Sequence, residues 1–360
     1  MKKYGIIIVL LLLLNLLSSC KPKVEEENRH EEEPETETVE KEEETETIEE
    51  EPEDIFRIIN VDEGYLIYNP HGNYGYRYGP SIILNEDGSY DVWFSSPGNS
   101  DTEWDYITYY HSENGTSWSS GEVVLRPTPG SKDECSVCDP GVIYFNGYYY
   151  LAYTSTDDYE RNGYNNSVFV ARSIYPDGPF EKWNGTGWGG DPEPFIPYEG
   201  DPSYFGNGEP SFVIVGEELY VYYSHTDQAG SRTRLAKADL SENWPATVHE
   251  VCEVLKWKAN DSLDVVYDND LDMFFAFTIK YRMDSNSQLI LCQSDDGESF
   301  VQADWTTTMI EEYAHNCGIS KGKDGHIYSE DDLLVGYAFG ERWGIWPTKF
   351  QKIWIKHTEA

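Results

Sequence analysis

The chain has 360 residues, with 26 Lys and Arg against 66 Asp and Glu, a formal net charge of −40. A surface that acidic repels phosphate backbones, which argues against nucleic acid as a partner. Hydrophobic residues make up 39% and aromatics 15%, enough for a sizeable core, so the chain as a whole is not disordered.

The first predicted element is a targeting segment. Lys2 and Lys3 precede an unbroken apolar run from Ile6 to Leu14, and Leu17-Ser18-Ser19-Cys20 closes it. The run is short for a membrane span and its flanks fit export, so residues 1–19 are predicted to be a secretory signal. The ending resembles the lipobox of bacterial lipoproteins. That resemblance implies a lipid on Cys20 and an extracytoplasmic protein tethered to a membrane it does not cross. Residues 20–54 follow as a spacer. Between 24 and 54 there are 18 acidic residues against Arg29 and Lys41, and no aromatic. Such a block repels itself and has no core to bury. It is predicted to be a disordered stalk, roughly 100 Å long if fully extended.

The remaining stretch, 55–360, repeats one pattern five times. Gly79-Pro80-Ser81-Ile82-Ile83 leads through Asn85-Glu86-Asp87-Gly88 to a run from Tyr90 to Phe94. Asp139-Pro140-Gly141-Val142-Ile143 leads through Asn146-Gly147 to a run from Tyr148 to Tyr153. Glu209-Pro210-Ser211-Phe212-Val213 leads through Gly216-Glu217 to Leu219 to Tyr223. A fainter copy joins Asp264-Val265-Val266 to Met273 to Phe277, and the last joins Asn316 to Ser320 with Leu333 to Tyr337. Third strands are predicted at 106–110, 168–171, 234–238, 289–292 and 352–355. Short β-rich runs, turn dipeptides and the lack of a helical period mark an all-β domain. Units of roughly 50 to 70 residues with three or four strands each predict a five-bladed β-propeller.

Blade geometry then says where function sits. The residue before each innermost strand shares a face with the loop after each second strand, here 97–105, 156–166 and 225–233. The carboxylates of Glu86, Asp87 and Asp268 to Asp272 fall on the opposite face and are expected to be solvated turn residues. Trp93, Tyr150 and Tyr222 lie inside second strands and are expected in the core.

At the first-strand positions the domain resembles the five-bladed propeller glycosidases of glycoside hydrolase family 43 and its relatives. Asp139-Pro140 resembles the family's second-blade Asp-Pro, and Glu209-Pro210 its third-blade Glu-Pro. Ala171-Arg172-Ser173 running to Asp177-Gly178-Pro179-Phe180 is similar to the third strand of blade two. His315 resembles the histidine that reaches the central cavity. Glycoside cleavage needs one carboxylic acid to protonate the leaving oxygen and one carboxylate to activate water. The resemblance implies Glu209 as the general acid. It implies Asp139 as the carboxylate that orients it and, by like charge, raises its pKa.

The family's blade-one carboxylate is missing. Gly79 stands in its place, within Arg77-Tyr78-Gly79-Pro80. A base then has to come from Asp101, Glu103 or Asp105, and Asp105 is the candidate. Arg77, Tyr78, Trp104 and His315 are candidate substrate contacts, since arginine bonds hydroxyls or anionic groups and aromatic rings stack on pyranose faces. Tyr204, Phe205, Trp343 and Trp346 lie near the same face. The resemblance also implies a calcium ion in the cavity, with oxygen ligands and His315 contributing at most indirectly or through water.

Five cysteines remain beyond Cys20: Cys135, Cys138, Cys252, Cys292 and Cys317. Cys135 and Cys138 have the spacing of a zinc or redox pair, but no second pair accompanies them. Export favours a disulfide there, and the odd count leaves a thiol over in the expected monomer. Three functions stay open. One is a surface-anchored glycosidase for oligo- or polysaccharides, β-xylosidase- or arabinofuranosidase-like by the resemblance. The second is a glycan-binding propeller that lost its base at Gly79. The third is a structural or adhesive lipoprotein.

Overall fold

The computed structural model describes residues 54–359 apart from 101, 162, 256–261, 304–307 and 330. The expected signal segment, Cys20, the acidic stretch to residue 53, and Asp101 lie outside the described residues. The described strands belong to one compact unit.

Five blades of antiparallel strands follow one another along the chain, and a short parallel pairing of Ser320 and Lys321 with Ile82 and Ile83 joins the last blade to the first. Blade one contains Tyr78–Leu84, Tyr90–Ser100, Glu103–Ser112 and Glu122–Leu125. Blade two contains Cys138–Phe145, Tyr148–Ser155, Ser167–Ser173 and Glu181–Lys182. Gly206–Val215, Glu218–Asp227, Gly230–Asp239 and His249–Glu253 build blade three. Asp264–Asp268, Met273–Lys280, Gln288–Ser294 and Val301–Gln302 build blade four. Blade five takes His315–Lys321, Leu333–Ala338 and Thr348–Glu359 from the C-terminal end. Its outer strand is Asp54–Asn60, from the other end of the domain.

That last pairing closes the ring. Asp54 faces Glu359 and the register runs antiparallel to Asn60 opposite Ile353. Phe56 and Ile58 enter the core of blades four and five, where the Phe56 ring meets Phe275 edge-on at 5.0 Å. Trp93, Tyr150 and Tyr222 are fully buried, as their strand positions require. Asp268 departs from expectation. It is buried and accepts hydrogen bonds from the N–H groups of Asp270 and Leu271 and from the Ser329 hydroxyl, tying its own turn together.

Two expected loops are hairpins instead. In blade one, residues 97–100 and 103–105 continue the ladder, with a bulge between Pro97 and Ser100. In blade three, Asp227 pairs with Gly230 across a tight turn, so 225–233 is mostly strand. Cross-strand pairing carries both hairpins above the propeller face, where they become walls.

Candidate active site

The five innermost strands begin alike. Gly79, Asp139, Glu209, Ser262 and Asn316 all sit in the left-handed backbone region, with φ between 48° and 59°. In four blades this coincides with a break in strand register, between Tyr78 and Ser81, Cys138 and Gly141, Gly208 and Ser211, and His315 and Cys317. A bulge of this kind re-aims one side chain out of the ladder. Repeated around the ring, it gathers these residues about the axis, where all five line one narrow space. Two of the left-handed N–H groups are fixed by hydroxyls of the preceding blade. Asp139 donates to Ser95 Oγ at 2.7 Å and Glu209 to Thr154 Oγ1 at 2.8 Å.

Above the axis opens a cavity of about 730 Å³ that contains Asp139, Glu209 and Asn316. The Asn316 amide joins the two carboxylates, its Nδ2 donating to Asp139 Oδ1 at 3.1 Å and to Glu209 Oε1 at 3.0 Å. Arg282 adds a charge, with one guanidinium nitrogen 3.2 Å from the same Glu209 oxygen. No side chain stands at Gly79. A Cβ there would lie 3.3 Å from Asp139 Oδ1, so a carboxylate at that position would crowd Asp139.

Asp105 enters the cavity from the third strand of blade one. It accepts hydrogen bonds from the Tyr76 hydroxyl at 2.6 Å and from Ser136 Oγ at 3.0 Å. Burial pushes its carboxyl up to about 6, against the lowering effect of those two bonds. The structure therefore brings Asp105, Asp139 and Glu209 to one cavity.

The other candidates divide. Tyr78, Trp104 and His315 line the cavity, as do Phe205, Trp343 and Trp346. Phe205 and Trp343 stay exposed, Phe205 stacking on Tyr164 at 4.6 Å and Trp343 meeting Trp346 at 4.8 Å. Arg77 is elsewhere. Its guanidinium lies over the Tyr68 ring and donates to Tyr110 Oη and Tyr76 O, a clamp between aromatic side chains rather than a substrate contact. Tyr204 turns into a second cavity of about 630 Å³ beside blade three, and Glu103 accepts from the Tyr106 hydroxyl.

His315 is buried between Tyr78 and Trp346, with ring centroids 5.6 and 4.3 Å away. Burial, and then the nearby Arg282 charge, push it down to about 3, so its imidazole is neutral. The donors do not fit the expected calcium ion. Among the described residues no three His, Cys, Asp or Glu groups converge on one point, and the Arg282 guanidinium holds the position beside Glu209. The expected disulfide is also corrected, because all five described cysteines are free. Cys135 is tied through its N–H to Thr156 O, while Cys138 opens blade two with its thiol toward Thr154 O.

Sequence reasoning missed Arg282, Tyr76 and Ser136, and it read Asn316 only as a strand start. Asn316 had a signal, because the repeat puts it in register with Asp139 and Glu209. Arg282 had a weaker one, its place after the second strand of blade four.

The sequence matches no protein-family model and no curated protein sequence. Solved structures do resemble it. A family 117 glycoside hydrolase of the marine bacterium Zobellia galactanivorans superposes with a TM-score of 0.59 at 18% identity, covering 84% of this chain and 90% of that one. An endo-arabinase from Bacteroides thetaiotaomicron gives 0.55 at 14% identity, over 81% and 98% of the two chains. An α-L-arabinofuranosidase from Lactobacillus brevis gives 0.55 at 14% identity, over 80% and 92%. At these identities the likeness shows the fold, a β-propeller shared with glycosidase families related to family 43.

Proposed function

We propose that the protein is a glycosidase that cleaves oligo- or polysaccharides by carboxylate acid–base chemistry. One observation carries the reading: three carboxylates from blades one, two and three converge on one cavity walled by tyrosine and tryptophan rings. Glycoside hydrolysis needs a proton donor and a proton acceptor on opposite sides of a sugar ring, and a third carboxylate can tune either. Asp105 supplies the carboxylate that Gly79 does not. In the division of labour that the family resemblance implies, Glu209 donates the proton and Asp139 tunes it, which leaves Asp105 to activate water.

Stacking surface for a pyranose or furanose comes from Trp104, Phe205 and Trp343 at the cavity wall. The relatives in shape include an arabinofuranosidase and a β-xylosidase, which supports pentose-containing substrates as the first to test. Export and a lipid on Cys20 would present the domain at the bacterial surface, on a carbohydrate substrate outside the cell. Mass spectrometry of the mature N-terminus tests that part, and an unmodified Cys20 contradicts it.

The test of activity is a panel of aryl glycosides and oligosaccharides run beside a glycan array. Turnover that is lost in Asp139→Asn supports the proposal. Binding without turnover supports the second reading, a glycan-binding propeller, which the missing carboxylate at Gly79 favours. Neither activity leaves a structural or adhesive role.

A further inference from the structure

Resting on the glycosidase reading, we infer that the roles of two carboxylates are exchanged: Asp105 is the proton donor, and Glu209 is the carboxylate that takes a proton from the attacking water. The surroundings of the two groups differ in kind.

Glu209 faces a cation. Its Oε1 accepts from the Arg282 guanidinium at 3.2 Å and from Asn316 Nδ2 at 3.0 Å. Charge-assisted donors of this type favour the ionised form. The arginine is built into position. Tyr281 and Met283, on either side of it, are both left-handed, with φ of 54° and 59°. Such backbone persists only where its surroundings over-determine it. Here Ser287 Oγ donates to the carbonyls of Tyr281 and Asp284, Met283 N donates to Ala314 O, and Tyr313 N donates to Asp284 O. Among the described residues, neutral His315 lies near Arg282 and neutral Cys317 near Glu209, with Asp139 across the Asn316 amide.

Asp105 has no cation against it among its described partners. From the segment before blade one it meets the phenol of Tyr76, and from the start of blade one that of Tyr78. From the start of blade two it meets the Ser136 hydroxyl, the Cys138 thiol and the Asp139 carboxylate. Every one of these is neutral or negative. The Tyr76 and Ser136 hydroxyls bond to Asp105 and oppose the effect of its burial, but no cation joins them; a desolvated wall with a like charge nearby favours the protonated carboxyl, whereas a cation against a carboxylate favours the ionised form.

The step balances. The Asp105 proton passes to the glycosidic oxygen as its bond to the anomeric carbon breaks, and the bonding electron pair leaves with that oxygen. Water adds its oxygen to the anomeric carbon and gives one proton to Glu209. One water is consumed, a free sugar and an alcohol are released, and the proton on Glu209 returns to Asp105 through solvent.

Two measurements test this. The first compares Asp105→Asn and Glu209→Gln on an unactivated oligosaccharide and on its nitrophenyl glycoside. The exchange predicts that Asp105→Asn loses about 10²-fold or more on the oligosaccharide and far less on the nitrophenyl substrate, which needs little protonation. Glu209→Gln should lose comparably on both. The second is the pH profile of kcat/KM for the unaltered protein, which does not depend on any variant folding. If Asp105 must be protonated, the rate falls as pH rises through about 6, the value to which its burial pushes it. If Glu209→Gln spares the nitrophenyl substrate, or the rate instead rises through pH 6, the exchange is overturned while the glycosidase reading stands. If the unaltered protein turns over no substrate, both fall together.

Discussion

Gly79 and Asp105 form one problem at the scale of single residues. The position where the resemblance implies a carboxylate has a left-handed φ of 58° and an Asp139 oxygen 3.3 Å from any Cβ. Gly79→Ala should therefore cost about 1 kcal/mol in chemical denaturation, mostly from backbone strain. Gly79→Asp should cost at least as much and should leave the activity of Asp105→Asn unrescued. Rescue would place the third carboxylate on the axis after all. Asn316 is the second residue to test. Asn316→Ala strips one donor from both Asp139 and Glu209, and each charged hydrogen bond is worth about 1.5–3 kcal/mol. A fall in kcat/KM of about tenfold or more with a small change in thermal midpoint is expected; unchanged kinetics would show the bridge to be idle. Asp139 and Glu209 were legible because each precedes a proline at a repeated strand start. Asp105 was reached only by elimination after Gly79. Arg282 was not reached, because its partner lies 73 residues away and only the closed ring brings the two together.

At the scale of elements, the blades are stitched two residues beyond each left-handed position. Ser81 Oγ accepts from Val142 N, Ser211 Oγ from Val265 N, and Asp264 Oδ2 from Ile319 N, each time across to the next blade. The two remaining positions are Gly141 and Gly318, where a Cβ would come within 2.1 Å of Pro210 O and 1.8 Å of Pro80 O. Backbone stands where the side chain would go, so Gly318→Ala has to push blades five and one apart. A loss of about 2–3 kcal/mol in urea denaturation is expected, and a neutral effect would contradict this picture of the interface. Asp264 also anchors a buried cation, with Lys321 Nζ at 2.6 Å. Lys321→Met leaves that carboxylate unpaired and should cost about 3–5 kcal/mol, much of it recovered in the double variant with Asp264→Asn. The blades were legible from their periodicity. The hairpin walls at 97–105 and 225–233 were not, because Pro97, the Asn and Gly residues read as loop, and only pairing across the hairpin extends the strands.

Closure decides stability at the scale of the whole molecule. Asp54–Asn60 supplies the outer strand of blade five, so both ends of the domain are held in one sheet. Burying Phe56 and Ile58 contributes about 1.5–3 kcal/mol each. Deleting 54–60 from the full chain should lower the thermal midpoint by about 5 °C or more; an unchanged midpoint would mean that the ring closes without this strand. The sequence gives little warning of the pairing, since a strand that completes a distant blade has no neighbour in its own repeat. On the proposed chemistry a sugar is cleaved between Asp105 and Glu209, above the axis. The most direct test is a crystal structure with a pentose oligosaccharide bound to the Asp139→Asn protein. The expected result is an anomeric carbon in the axial cavity, with the glycosidic oxygen within hydrogen-bonding distance of one of these two carboxylates and the other facing the opposite side of the ring. A sugar held only in the cavity beside blade three, or one that leaves Asp105 and Glu209 both out of reach, would contradict it.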